Sequence, residues 1–241
     1  MPFSLPRLMA GFAALPAALS LALSPAPASA YEQGELLAGL YTAPGQFFTV
    51  KSPLGPSPIL IDGFEATTGA VTFLNENGQF YGVVCTPNLD VLAGADNDFE
   101  TDAAILRNWL RDVMVPNFFE RMLPGTSILR EEPVEFEGVP AWVAVIHMPK
   151  GSATFRHDPE NGPLREDSWR GVVALSRGGQ TYLLMTEVAH AFPDDAGQFD
   201  VTAPGWNDFL PQLNAFYQGM TFQDLRHPDE EPRADDKHAG T

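Results

Sequence analysis

Cys85 is the one thiol in the chain, and among the imidazoles His147, His157 and His190 stand in predicted strands or beside carboxylates. A thiol and an imidazole from neighbouring strands form a nucleophile and its base when an acid orients the ring. Cys85 and His147 have the residue types for that, while Val83 and Val84 point instead to Cys85 as a small core residue. Alternating carboxylates at Asp96, Asp98, Glu100 and Asp102 suit an oxygen-seeking cation such as calcium. That spacing then departs from a calcium loop, with no glycine at the sixth position and Arg107 where a bidentate glutamate belongs. Acidic residues also favour a helix start without any metal.

Two His–carboxylate groups remain. Glu187 and His190 precede Asp194 and Asp195, and His157–Asp158 precedes Glu160. Either set could serve acid–base work or zinc, yet neither has a recognised ligand spacing, and residues three apart on a strand point to opposite faces. No Gly-x-Ser-x-Gly, Ser-x-x-Lys, Cys-x-x-Cys or His-Glu-x-x-His occurs anywhere in the sequence, so the common hydrolase and metal signatures are missing. No cofactor is called for.

The charge balance narrows the partners. The chain has 14 Lys+Arg against 31 Asp+Glu, a formal net charge of −17 over 241 residues, with no basic run. Nucleic acid and anionic membrane surfaces are disfavoured as partners. At the N-terminus, Arg7 precedes an uncharged apolar run over residues 8–24, followed by Ala28-Ser29-Ala30. That is the pattern of a cleavable secretory signal, 1–30, leaving Tyr31 as the mature N-terminus in a periplasm or outside the cell, and not as a stable membrane protein. With one cysteine, no lipid attachment follows the apolar run and no intramolecular disulfide forms.

The elements that would position these groups follow from periodicity. Gln46–Val50 reads as a strand. Phe64–Leu74 and Gln79–Thr86 flank Asn75-Glu76-Asn77-Gly78 as a hairpin. Over Thr101–Leu123 the period becomes helical, with Ile105, Trp109 and Val113 on one stripe, and Pro116 is expected to kink or split the helix. Strands are expected at Ser127–Phe136, Val139–Met148, Trp169–Arg177 and Gln180–His190, the last two joined through Gly178-Gly179. A closing helix is expected from about Pro204 to Gln218, kinked or delayed by Pro211. The aromatics Trp109, Phe118, Phe119, Trp206, Phe216 and Tyr217 read as core or as the lining of an apolar cleft. Strands apolar on both faces need cover on both. The expected fold is therefore α+β, a central antiparallel sheet flanked by helices on both faces (an α/β/α sandwich), in one globular domain over 31–222 followed by a disordered acidic tail over 223–241.

The order of elements resembles the PsbP-like fold, the family of the extrinsic photosystem II protein and of a nuclear Ran-binding protein. The resemblance is carried by Phe47-Phe48-Thr49-Val50-Lys51-Ser52-Pro53, the helix around Trp109, the strands after Glu135-Phe136-Glu137-Gly138, the hairpin ending Tyr182-Leu183-Leu184, and the closing helix with Phe216 and Phe222. It covers most of residues 41–222 and implies a non-catalytic protein that binds other proteins, sometimes assisting assembly of an envelope or membrane complex. No diagnostic motif matches, so no binding residue is carried over.

The segment 149–168 is polar and broken by Gly151, Pro159, Gly162 and Pro163, and reads as a long loop between two strands. Its Arg156, His157, Asp158, Glu160, Arg165 and Glu166, together with the acidic tail, are the expected contacts for an envelope protein. The alternatives are a small-ligand or lipid carrier with a cleft between helix and sheet, and a hydrolase using His157 or His190.

Overall fold

The structure, a computed structural model, describes residues 31–87, 98–152, 155–160, 162–165, 167–188 and 205–223. The expected signal segment, the tail from residue 224 on, and Asp96, Glu166, His190, Asp194 and Asp195 lie outside them.

Seven strands form one antiparallel sheet: β4 (Ile59–Glu65), β5 (Thr68–Leu74), β6 (Phe80–Pro87), β7 (Ser127–Phe136), β8 (Val139–Met148), β11 (Ser168–Arg177) and β12 (Gln180–Val188). Their spatial order is β4-β5-β6-β12-β11-β8-β7. The β11–β12 turn needs Gly178 and Gly179, both at positive φ, and it sets a register in which Arg177 faces Gln180 and Arg170 faces Glu187. Asn75 supports the β5–β6 turn, its side-chain oxygen accepting from the backbone N–H groups of Asn77 and Gln79.

One face of this sheet is covered by α1, a continuous helical run made of Phe99–Asn108, Trp109–Phe119 and Glu120–Met122. Leu106, Leu110, Met114 and Phe119 pack there on Trp142, Ala144 and Ile146 of β8, Val172 of β11 and Leu183 of β12. Arg111 pairs with Glu131 of β7, whose other carboxylate oxygen accepts from Trp142 Nε1 at 2.8 Å. Pro116 does not split the helix. It sits within the middle segment, which is π-helical, and the side chain of Asn117 donates to the Val113 carbonyl at 2.9 Å. The wider turn thus accommodates the ring that an α-helical turn would reject.

The other face corrects the expected sandwich. Its cover is mainly a second antiparallel sheet of β1 (Glu35–Leu37), β2 (Leu40–Thr42), β3 (Phe48–Lys51) and β13 (Met220–Phe222), in the order β1-β2-β3-β13, beside the nine-residue helix α2 (Leu210–Gln218). Among the described residues the molecule is therefore mostly β, with two large sheets, a separate two-stranded hairpin and one long helix, and not a sheet between two helical layers. The sequence pattern concealed this because strands of three or four residues are too short to show alternation. Tyr41, Phe47, Phe48, Val50, Leu213 and Phe216 pack from this cover onto Val83, Val143, Val173 and Tyr182. α2 begins with Pro211 in its first turn, after a short 3-10 turn at Trp206–Asp208, so the proline delays the helix rather than kinking it. Gly171 permits the docking: a Cβ built there would lie 2.1 Å from the ring of Phe209.

Two further readings change. β4 is a separate strand that ends at Glu65, so the run from Phe64 to Leu74 is broken by a turn at Ala66-Thr67. The supposed loop 149–168 contains a two-stranded hairpin, β9 (Phe155–Asp158) with β10 (Gly162–Arg165), in which His157 faces Pro163 and Arg156 faces Leu164.

Candidate functional site

The β9–β10 hairpin grows from one end of the seven-stranded sheet, where β8 finishes at Met148 and β11 begins opposite it at Ser168. Among the described residues its two strands pair only with each other. Polar and charged side chains collect at its root, on both faces of the sheet.

On the α1 face, Arg170 of β11 and Glu187 of β12 are direct cross-strand partners. Their side chains are 8% and 2% exposed, and Arg170 Nη2 lies 3.9 Å from Glu187 Oε2, an ion pair without a short hydrogen bond. Ser152, in the segment leading from β8 to the hairpin, donates its hydroxyl to Glu187 Oε1 at 2.9 Å. The guanidinium lies 4.2 Å from the centre of the Phe80 ring, a cation–π contact. Burial lowers the Arg170 pKa and the Glu187 charge partly restores it. Arg170 Nε has no hydrogen-bond partner among the described residues. Burying two charges costs more than a loose pair returns, so this cluster contributes orientation more than net stability.

On the opposite face, His147 Nε2 lies 2.9 Å from Asp167 Oδ2, the ring N–H donating to the carboxylate. The other oxygen of Asp167 accepts the backbone N–H of Lys150 at 3.0 Å. The His147 ring rests near the buried Trp169, centroids 5.8 Å apart. Asp167 thus joins the segment entering the hairpin to the one leaving it.

Of these groups only His147 and Glu187 were singled out from sequence, and with other partners. Cys85 and His147 do not meet: Cys85 is in register with Tyr182, Leu175 and Ala141, three strands from β8, and His147 is six residues further along. That separates them by about 20 Å along the strands alone. The Cys85 thiol donates to the carbonyls of Thr67 and Gly69, and burial pushes its pKa up to about 12. It is a neutral core residue, without the thiolate a nucleophile needs. Asp98 is the N-cap of α1, its carboxylate accepting from Thr101 N–H at 2.8 Å, and hydrogen bonding from the Thr101 side chain, with this backbone bond second, lowers its pKa. No group of three or more His, Cys, Asp or Glu able to hold a metal occurs among the described residues.

Of the expected contact residues, Arg156, His157 and Asp158 lie on β9, Arg165 on β10, and Glu160 is exposed at the turn between them. Trp109, Phe119, Phe216 and Tyr217 are buried, as core packing requires. An open cleft of about 550 Å³ does lie beside α2, lined by Lys51, Pro53, Tyr81, Pro211, Gln212 and Phe216 among others.

Sequence reasoning missed Arg170, Ser152 and Asp167. A signal existed for the first: counting outward from Gly178-Gly179 pairs Arg170 with Glu187, two opposite charges in largely apolar strands. Ser152 and Asp167 flank the hairpin with nothing in their neighbours to mark them.

No protein-family model matches the sequence, and no curated protein matches it. Solved structures do resemble the fold. The solution structure of cyanobacterial PsbP (CyanoP) from Synechocystis sp. PCC 6803 aligns with 83% of this chain and 97% of its own, at 10% identity and a TM-score of 0.42. A mutant of the protein Mog1 aligns with 80% of this chain and 98% of its own, at 11% identity and a TM-score of 0.37. This is a weak resemblance to the PsbP-like fold, as the sequence pattern implied, and it assigns no role to any residue.

Proposed function

We propose that this chain is an exported, non-enzymatic domain that binds a protein partner in the cell envelope or outside the cell, with the β9–β10 hairpin as its contact. The observation that carries the proposal is the hairpin itself: a short ribbon paired with no other described strand, rooted on a rigid sheet. Two strands alone are marginal in water, and loops or ribbons on a rigid scaffold are where binding concentrates. The apolar leader with Ala28-Ser29-Ala30 supports export. The thiol held neutral at Cys85 and the His147–Asp167 pair tied to backbone support a non-catalytic role.

The test is quantitative capture from the host's envelope fraction, comparing the native protein with a variant whose residues 153–166 are replaced by a short Gly-Ser turn. The replaced variant is expected to keep its melting temperature and lose the partner. A partner retained in full would overturn the hairpin assignment. Mass measurement of the exported protein checks the other half: a first residue other than Tyr31 would contradict the cleavage site, and a chain confined to the cytoplasm would contradict export.

The cleft beside α2 favours a second reading, a small-ligand carrier. Native mass spectrometry separates the two, since a copurified small mass lost on Phe216→Ala substitution belongs to the cleft, whereas a copurified protein lost on hairpin replacement belongs to the ribbon.

A further inference from the structure

The hairpin's root is more heavily tied than its two-stranded ribbon requires. The segment entering it is held on the α1 face by the Ser152 hydroxyl on Glu187, itself fixed across the strand pair from Arg170, which lies on Phe80. The same segment is held again at Lys150, whose N–H reaches the Asp167 carboxylate of the segment leaving the hairpin, and Asp167 also accepts from His147 on the opposite face. Lys150 itself adopts a positive φ of 53°, a conformation that needs outside support in a residue with a side chain.

We infer that these two sets of contacts form a clamp, one arm on each face of the sheet, that presets the β9–β10 hairpin before any partner arrives. The inference rests on the reading of the hairpin as the contact and adds how that contact is controlled. A ribbon of four residues per strand has little cohesion of its own, so its persistence depends on what anchors its ends. Charge-assisted bonds to Asp167 and a hydroxyl bond to the nearly sealed Glu187 are stronger anchors than neutral surface contacts. A preset contact avoids the ordering cost that a loose segment meets on binding. Each arm uses a side chain outside the hairpin, so it can be removed without touching the binding residues.

Hydrogen exchange on the full chain tests this. In Ser152→Ala and in Asp167→Ala, amides within 155–165 are expected to exchange several-fold faster than in the native protein. In the double variant the acceleration is expected to reach about tenfold or more, with β11 and β12 amides unchanged, because opening is local. Ser152→Thr restores the hydroxyl and is expected to return native exchange, which separates the bond from general loosening. Unchanged exchange in the double variant, or equal acceleration throughout the sheet, would overturn the clamp. Capture of the partner is read in parallel. Faster exchange with capture surviving hairpin replacement leaves the clamp standing and removes the binding role, whereas lost capture with unchanged exchange does the reverse.

Discussion

The two faces of the seven-stranded sheet solve the same burial problem with different materials. Under the second sheet and α2 the core is aromatic, with Tyr41, Phe47, Phe48, Phe64, Phe73, Tyr182 and Phe216 in a chain of edge-to-face and tilted contacts such as Phe48–Tyr182 at 6.0 Å and Phe73–Phe216 at 6.0 Å. Under α1 the core is largely aliphatic, and at its end it holds a buried ion pair. Short strands cover little area each, so large rings must fill the space between the sheets; a long helix brings its own continuous stripe and needs less from each residue. The aromatic face is thus fixed by a few interlocked rings, and the α1 face leaves a margin into which charged groups and a hairpin root are set.

The largest effect should come from the rings. Phe48→Ala is expected to cost about 4 kcal/mol in urea unfolding, against about 3 kcal/mol for Leu110→Ala on the α1 face. A Leu110 cost well above that of Phe48 would reverse the comparison. Next comes the ion pair. Glu187→Leu leaves the Arg170 charge buried and is expected to cost about 3 kcal/mol, while Arg170→Met combined with Glu187→Leu is expected to cost less than about 1 kcal/mol. If the double variant proves as unstable as the single one, the pair is a source of stability and not of orientation.

The same contrast explains what could be read in the sequence. The helix and the long strands β7, β8, β11 and β12 were legible because runs of nine or ten residues display their period, and β8 and β12, apolar on both faces, announced that both faces needed cover. The nature of the second cover was not legible. Glu35–Leu37, Leu40–Thr42 and Met220–Phe222 have three residues each, and their pairing joins the two ends of the domain, information that no local window holds. Pro116 pointed to a break because an α-helical turn was assumed; a π-helical one removes the conflict. For the site, the expected contact residues around His157 were read as a loop, and Arg156, His157, Asp158 and Arg165 lie on a hairpin, whereas Ser152 and Asp167 at its root act through register and proximity that only the folded sheet supplies.

The aromatic face also makes an alkaline prediction. Burial raises the Cys85 thiol from 9.0 to about 12, and burial with the neighbouring Asp62 raises the Tyr41 phenol, whose hydroxyl donates to Asp62 at 2.7 Å. A group raised in the folded state contributes stability in full below its ordinary pKa. That contribution falls as the unfolded chain ionises while the folded one does not. Stability is therefore expected to decline as pH climbs from about 9 toward 12, and Cys85→Val is expected to flatten the early part of the decline. An unchanged slope in Cys85→Val would mean the thiol is not sealed in the fold.

The smallest effect belongs to the start of α1, and it distinguishes a local device from a packed one. Asp98 caps the helix through Thr101 N–H, and its lowered pKa means that its contribution is present above the ordinary carboxyl value of 3.8 and is lost as pH falls through the lower folded value. Asp98→Asn keeps an oxygen for the cap and removes the charge, so neutral-pH melting should change least of all the variants while the acid-side slope disappears. Asp98→Ala removes both and should lower melting at neutral pH as well, though by less than any core change. The aromatic cover is held differently, by its rings, by the β1-β2-β3-β13 pairing and by the Asp62 carboxylate, which accepts from Gly34 N–H and the Tyr41 hydroxyl. If Asp98→Asn melts as low as Asp98→Ala at neutral pH, the helix start depends on charge alone, and the α1 face is more electrostatic than its aliphatic core suggests.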